Sequence, residues 1–108
     1  WVLVELDGAP APMGANGKAP TLTLEGGEPR ASGFAGCNRF SGGYVLEGDQ
    51  LRFPALAMTS MACPDGMEGE RAFAKSLGAT AQFSIAGDTL TLSSADGDLL
   101  AKFSAKAE

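Results

Sequence analysis

The segment Gly36-Cys37-Asn38-Arg39-Phe40-Ser41-Gly42, together with Thr59-Ser60-Met61-Ala62-Cys63, decides how this chain is built. The two segments hold the only cysteines, which could form a disulfide, a thiol catalyst or part of a metal site. A structural zinc needs four ligands, and a cysteine nucleophile needs a neighbouring base such as histidine, which the chain lacks. We therefore expect a structural disulfide between Cys37 and Cys63, with buried free thiols as the alternative.

The polar residues beside the cysteines are the candidate binding residues. Asn38 and Arg39 can form a ligand-binding pair, or Asn38 can adopt a left-handed turn conformation and bond its own backbone. In that second case Arg39 lies over the sheet or pairs with a carboxylate. Thr59 and Ser60 can offer hydroxyls to a ligand or cap nearby backbone. Because binding residues concentrate on loops that a rigid scaffold holds, we take all four as candidates and expect Arg39 to contribute most.

Short segments of β-forming residues surround the two motifs. We predict strands over residues 1–6, 21–25, 30–35, 44–46, 51–53, 82–85, 89–92 and 99–103. Turn dipeptides such as Asp7-Gly8 and Asp96-Gly97 separate them, and residues 9–19 predict an exposed loop. Pro54 is expected to end its strand, since proline cannot donate to a central ladder.

One helix is predicted after Cys63. Asp65 and Glu68 have the spacing of a capping box, and the helix dipole favours Glu68 and Glu70 in the first turns. Gly78 is a natural residue to follow the end of the helix. The apolar face that should hold the helix on the sheet contains Met67, Phe73, Ala74 and Leu77.

Length and pattern together indicate the fold class. A chain of 108 residues supports one core, so residues 1–108 form a single domain. About eight short strands and one helix predict an α+β domain that is mainly antiparallel β. Because twist accumulates and open edges invite aggregation, we expect a strongly curled sheet or half-open barrel, plugged by the helix.

Composition excludes several classes of function. The formal net charge of −5 repels nucleic acid and anionic membranes, and no apolar run approaches the ~20 residues of a membrane span. Ser41 has no histidine to activate it, and Asp96 and Asp98 lack the other ligands of a calcium loop. We therefore expect no enzymatic activity, no metal and no cofactor.

The two cysteine segments, with residues along the whole chain, resemble the META/HslJ-like family of small proteins of the bacterial cell envelope. The tripeptide Gly36-Cys37-Asn38 is the specific part of the resemblance. The resemblance also covers Trp1, Leu3, Glu70, Phe73 and Leu77. The chain departs from the family at Ser60, where relatives often carry a basic residue. A role in binding an anionic partner is therefore not carried over to Ser60. The resemblance implies a location in the periplasm or at the outer membrane, including as a processed lipoprotein. It also implies a link to stress response, secretion and antibiotic tolerance.

Two functions from different classes follow. The first is a non-enzymatic, monomeric docking module that binds another envelope protein. The second is a carrier that holds a lipid or other apolar ligand between the curled sheet and the helix. A continuous apolar cavity beneath the helix favours the carrier, whereas a filled core favours the docking module.

Overall fold

A computed structural model describes residues 1–12, 14, 17–27, 29–63 and 67–105. It contains nine strands and one helix, in the order β1 (Val2–Leu6), β2 (Ala9–Pro10), β3 (Thr23–Glu25), β4 (Arg30–Phe34), β5 (Arg39–Glu47), β6 (Gln50–Met58), α1 (Met67–Ala79), β7 (Gln82–Ala86), β8 (Thr89–Ser93) and β9 (Leu99–Ser104). All of the strand pairs are antiparallel, which confirms a mainly antiparallel α+β fold. The extra strand relative to the prediction is β2, which pairs with the end of β1 inside the predicted loop.

The strands form a single sheet in the order β2-β1-β9-β8-β7-β6-β5-β4-β3. Within the described residues β2 and β3 are not paired with each other, so the ladder does not close. An isolated bridge between Val2 and Thr21 nevertheless joins the segment before β3 to the start of β1. The strong curl predicted from the sequence stays a prediction.

The helix covers a gap in the ladder. The pairing between β6 and β7 is confined to Gln50 and Gln82, at the start of both strands. Helix α1 connects the other end of β6 to the start of β7 and packs against β6 and β9. Covering an otherwise open strand edge in this way removes a site for unwanted pairing.

The core lies between the sheet and the helix. Phe73 is fully buried, and its ring contacts Phe40 edge-on and Phe103 at a tilt, with centroids 5.9 and 6.0 Å away. Leu77 is buried one turn further along. Of the predicted apolar face, Phe73 and Leu77 thus pack in the core, whereas Met67 and Ala74 are only half-buried. No helix in the described part of the chain is both long and apolar enough to cross a membrane.

Two local predictions are wrong. Strand β6 continues through Pro54 to Met58, because Phe53 and Pro54 lie together opposite Tyr44 in a β-bulge. A bulge interrupts the ladder, so a proline there costs no hydrogen bond. Gly78 lies within α1, which ends at Ala79, and is not among the glycines with positive φ. The predicted cap at Asp65 lies outside the described residues.

Candidate functional site

Helix α1 places the carboxylate of Glu70 against the turn between β4 and β5. Glu70 is only 5% exposed. Its Oε1 accepts the backbone N–H groups of Cys37, at 2.9 Å, and of Asn38. Its Oε2 accepts the side-chain amide of Asn38 at 2.8 Å. These three bonds offset the loss of water around a buried charge, which otherwise costs several kcal/mol.

The backbone of the turn is shaped to receive this carboxylate. Gly36 has a φ of 132°, a conformation that residues with a side chain rarely adopt. The next two backbone N–H groups both point at one oxygen of Glu70. Successive amides that converge in this way form a concave anion-binding site, here filled by the protein's own side chain.

Hydrogen bonding keeps Glu70 ionised. Burial alone would raise the pKa of Glu70, because it disfavours the charged form. The bonds from the side chain and backbone of Asn38 and from the backbone of Cys37, with the nearby charge of Arg71, outweigh that effect and lower the pKa below its ordinary value. A buried carboxylate with a lowered pKa is a poor general acid, so its environment suits a structural role.

Asn38 connects this turn to the second cysteine segment. Its Oδ1 accepts the N–H of Met61 at 2.6 Å and the hydroxyl of Thr59 at 3.1 Å. Its Nδ2 donates to the Met61 carbonyl at 3.2 Å as well as to Glu70. The left-handed conformation considered for Asn38 is wrong, since Asp7 is the one non-glycine residue with positive φ among those described. Asn38 is 3% exposed, so its amide lies beneath the surface and is fully used there.

The predicted disulfide between Cys37 and Cys63 is confirmed, and it joins the same two segments covalently. The sulfur atoms are 2.02 Å apart and the Cα atoms 6.1 Å apart. Three kinds of interaction therefore hold this junction together: the buried carboxylate of Glu70, the Asn38 amide that bridges two segments of the chain, and the disulfide bond.

Arg39 and Thr59 lie where this junction reaches the surface. The backbone N–H of Arg39 donates to Thr59 Oγ1 at 3.0 Å, and the N–H of Thr59 donates to the Arg39 carbonyl at 3.0 Å. These bonds fix the backbone of Arg39. Its guanidinium is left exposed, without a hydrogen bond or ion pair to any described residue.

A groove of about 540 Å³ opens beside Arg39, across strands β3 to β6. Residues of β3 to β6 and of the segments next to them line it: Thr21, Thr23, Ser32, Gly33, Arg39, Phe40, Ser41, Ala57, Met58 and Thr59. Ser32 pairs with Thr23 on one side and Ser41 on the other, and Ser41 pairs with Ala57. Ser32 follows the core residue Ala31 in β4, and Ser41 follows the core residue Phe40 in β5. The side chains of Ser32 and Ser41 therefore point away from the core.

The four candidate binding residues therefore take different positions. Arg39 and Thr59 line the groove, and Asn38 supports it from below. Ser60 is exposed, is not part of the groove lining, and its hydroxyl bonds to no described residue. The structure thus groups three of the four around one junction and leaves Ser60 at its margin.

Comparison with known proteins decides the family. The family model that describes the META domain matches residues 1–107 of this chain. This chain belongs to the META domain family. The META domain is similar to a protein from Burkholderia xenovorans solved by NMR, at 31% identity and a TM-score of 0.75. That match covers 99% of this chain and 81% of the other. A second NMR structure matches at 32% identity and a TM-score of 0.68, over 94% of this chain and 85% of the other. No curated protein matches.

Sequence reasoning missed the central role of Glu70 in this META domain. The interpretation from the sequence placed Glu70 with Glu68 in the field of the helix dipole. Its spacing from Phe73 and Leu77, three and seven residues away, instead puts Glu70 on the buried face of α1. A carboxylate on an apolar helical face is the signal that could have found it, because a buried charge needs partners.

Proposed function

We propose that this META domain is a non-enzymatic docking module of the bacterial cell envelope, which binds another envelope protein in the groove beside Arg39. We place the domain in the cell envelope as a monomer, including the case of a processed lipoprotein. This location rests on the resemblance to the family. The docking function rests on the surface itself. Its strongest support is a guanidinium without an internal partner, at the edge of a groove whose backbone is held by a buried network.

The distribution of used and unused polar groups supports binding at this surface. The side chains of Asn38, Glu70 and Thr59 are occupied by hydrogen bonds within the protein. The guanidinium of Arg39 and the hydroxyl of Ser41 make none with the described residues. The inner groups hold the site, and the outer groups are available to a partner. Such pre-organisation lowers the entropy cost of binding.

Packing beneath the helix favours docking over the carrier. Phe73 is fully buried and Leu77 is 1% exposed, and the Phe73 ring contacts two other aromatic rings of the core. An apolar ligand between sheet and helix would have to displace these side chains. The groove of about 540 Å³ lies on the other face of the sheet, where hydroxyls line it. Its position suits a partner that approaches from outside.

The proposal includes the strongly curled, half-open shape predicted from the sequence. The Val2–Thr21 bridge and the bonds between Trp1 and Leu22 support it, since they bring the segment before β3 to the start of β1. A sheet that bends back on itself holds the groove-bearing strands at a fixed curvature. The docking surface would then be rigid in the free protein.

A capture experiment tests the docking function. The tagged domain, its Arg39→Gln variant and an Arg52→Gln control are incubated with the same bacterial envelope extract. Arg52 is a suitable control because it is an exposed arginine of β6 that does not line the groove. We expect one protein to be captured by the native domain and the control but lost with Arg39→Gln. Equal capture by all three would contradict docking in the groove.

A further inference from the structure

The groove beside Arg39 carries information about the chemistry of its ligand. We propose that it receives a short extended peptide segment, whose carboxylate pairs with the Arg39 guanidinium while its backbone crosses a row of hydroxyls. This inference rests on the proposed docking function and makes it specific. Three observations carry it: the charge of the groove, the register of its hydroxyls, and the rigidity of the end that holds the charge.

The charge of the groove selects an anionic group. Arg39 is the one charged residue among the described residues that line it, although the chain as a whole has 13 acidic and 8 basic residues. The guanidinium is exposed and unpaired among the described residues, whereas Lys102 pairs with Glu5 at 3.9 Å. A guanidinium presents a planar fork of donors that matches the two oxygens of a carboxylate. A ligand with a carboxylate at this position would supply the missing partner.

The hydroxyls of the groove lie in a row across the strands. Thr23, Ser32 and Ser41 are consecutive cross-strand partners, so they follow one another at the strand spacing of about 4.8 Å. Their hydroxyls make no hydrogen bond within the described chain. A hydroxyl rotates to donate or accept, so the row can bond to the N–H and C=O groups of a peptide backbone.

The floor of the groove lets a backbone come close. Ala57, which lines the groove, continues the row beyond Ser41. Its small side chain leaves space above the sheet. The aromatic residue in the lining, Phe40, is 3% exposed, because its ring packs in the core. The described lining therefore offers no aromatic face to a sugar ring, which favours a peptide over a glycan.

The charged end of the groove is fixed before binding. The backbone of Arg39 is bonded twice to Thr59, and Asn38 beside it is held by Glu70. The disulfide holds the same turn. The position of the Arg39 backbone relative to Ser41, two residues along β5, is thus set by the fold. The ligand's carboxylate must lie within reach of the side chain that starts there.

Titration by NMR tests the inference with defined probes. The probes are N-acetyl-trialanine with a free C-terminal carboxylate and the same peptide as its amide, added to isotope-labelled native domain, Arg39→Gln and Arg52→Gln. We expect saturable shifts at Ser32, Arg39 and Ser41 with the free acid. The amide, and the acid with Arg39→Gln, should bind about two- to fivefold more weakly, the range of an exposed ion pair. Raising the salt concentration should weaken only the binding of the acid.

Several outcomes would overturn the assignment. Equal chemical-shift changes from the acid and the amide, or changes centred away from the groove, would show that Arg39 does not bind a carboxylate. Tighter saturation of the same residues by glucuronate or inorganic phosphate would replace the peptide with a glycan or phosphate ligand. If Arg39→Gln loses the captured protein but neither tripeptide binds, the docking function stands and the peptide carboxylate is wrong. If the acid binds but no protein is captured, the proposed docking function fails.

Discussion

Glu70 of the helix and Asn38 of the β4–β5 turn form the buried centre of this domain. Glu70 Oε2 accepts Asn38 Nδ2 at 2.8 Å, and Glu70 Oε1 accepts the backbone N–H of Asn38 and of Cys37. Through Asn38 the same network reaches Met61 and Thr59. A helix, a turn and the segment after β6 are therefore coupled through two side chains.

Replacing Glu70 by glutamine should destabilise the domain strongly. The variant keeps the shape but puts an NH₂ group where a carboxylate oxygen accepted hydrogen bonds. We expect the free energy of unfolding to fall by about 2–4 kcal/mol, since buried bonds to charged groups are costly to break. Urea unfolding measures it. The control is Glu68→Gln on the exposed side of the same turn, which should change stability by less than about 0.5 kcal/mol. Equal effects of the two substitutions would contradict the network.

The lowered pKa of Glu70 predicts a dependence of stability on pH. Because this pKa is lower in the folded protein than in the unfolded chain, the unfolded chain binds more protons between the two values. The contribution of Glu70 is therefore complete above its ordinary pKa of 4.5 and is lost as the pH falls through the folded value. The difference in unfolding free energy between the native domain and Glu70→Gln should shrink as the pH falls from 7 to 3. A difference that is constant or grows would contradict the direction of the shift.

The disulfide should be present in the mature protein and should stabilise it. Reduction should raise the intact mass by about two hydrogens, and alkylation of the unfolded, unreduced chain should label neither Cys37 nor Cys63. Because the two cysteines are 26 positions apart in sequence, loss of the bond should cost about 3–4 kcal/mol in the chain-entropy model. Thermal unfolding with and without reductant measures this. Labelling of both thiols without reduction would show that the bond is not formed.

Phe73 and Leu77 should act as core anchors of the helix. Truncation of either residue to alanine should cost about 2–5 kcal/mol, because each leaves a cavity in a filled core. The control is Lys75→Ala, on the exposed face between them. Chemical unfolding of the three variants gives the comparison. Unchanged stability in both core variants would mean that the helix contributes little packing.

Much of the fold follows from local signals in the sequence. Asp7-Gly8 and Gly87-Asp88 mark hairpin turns, and Gly8, Gly87 and Gly97 all have positive φ, as such turns require. Leu22 faces the core as its alternation with threonine predicts. The disulfide could be predicted because two cysteines without histidine leave few other structures. The turns and the alternation depend on residues that are near one another in the chain. The pairing in the disulfide could be predicted because each cysteine has only one other cysteine to pair with.

The features that were missed depend on contacts between distant segments. Asn38 bonds to Met61 and Glu70, 23 and 32 residues away, so its local preference for a left-handed turn did not decide its conformation. Pro54 was expected to end β6, but the bulge opposite Tyr44 accommodates it. That bulge also sets the strand register in which Ser41 and Ala57 become neighbours. The groove therefore could not be predicted from alternation alone.

Site-specific photo-crosslinking tests the central claim, docking in the groove beside Arg39, most directly. A photoreactive phenylalanine analogue replaces Ala57, which is exposed within the groove lining, or Ile85 on β7, which is 53% exposed and outside it. Each variant is exported to the bacterial envelope and irradiated in intact cells. We predict one discrete adduct from position 57, none from position 85, and loss of the adduct when Arg39→Gln is added. No adduct at position 57, or one that persists without Arg39, would contradict the account.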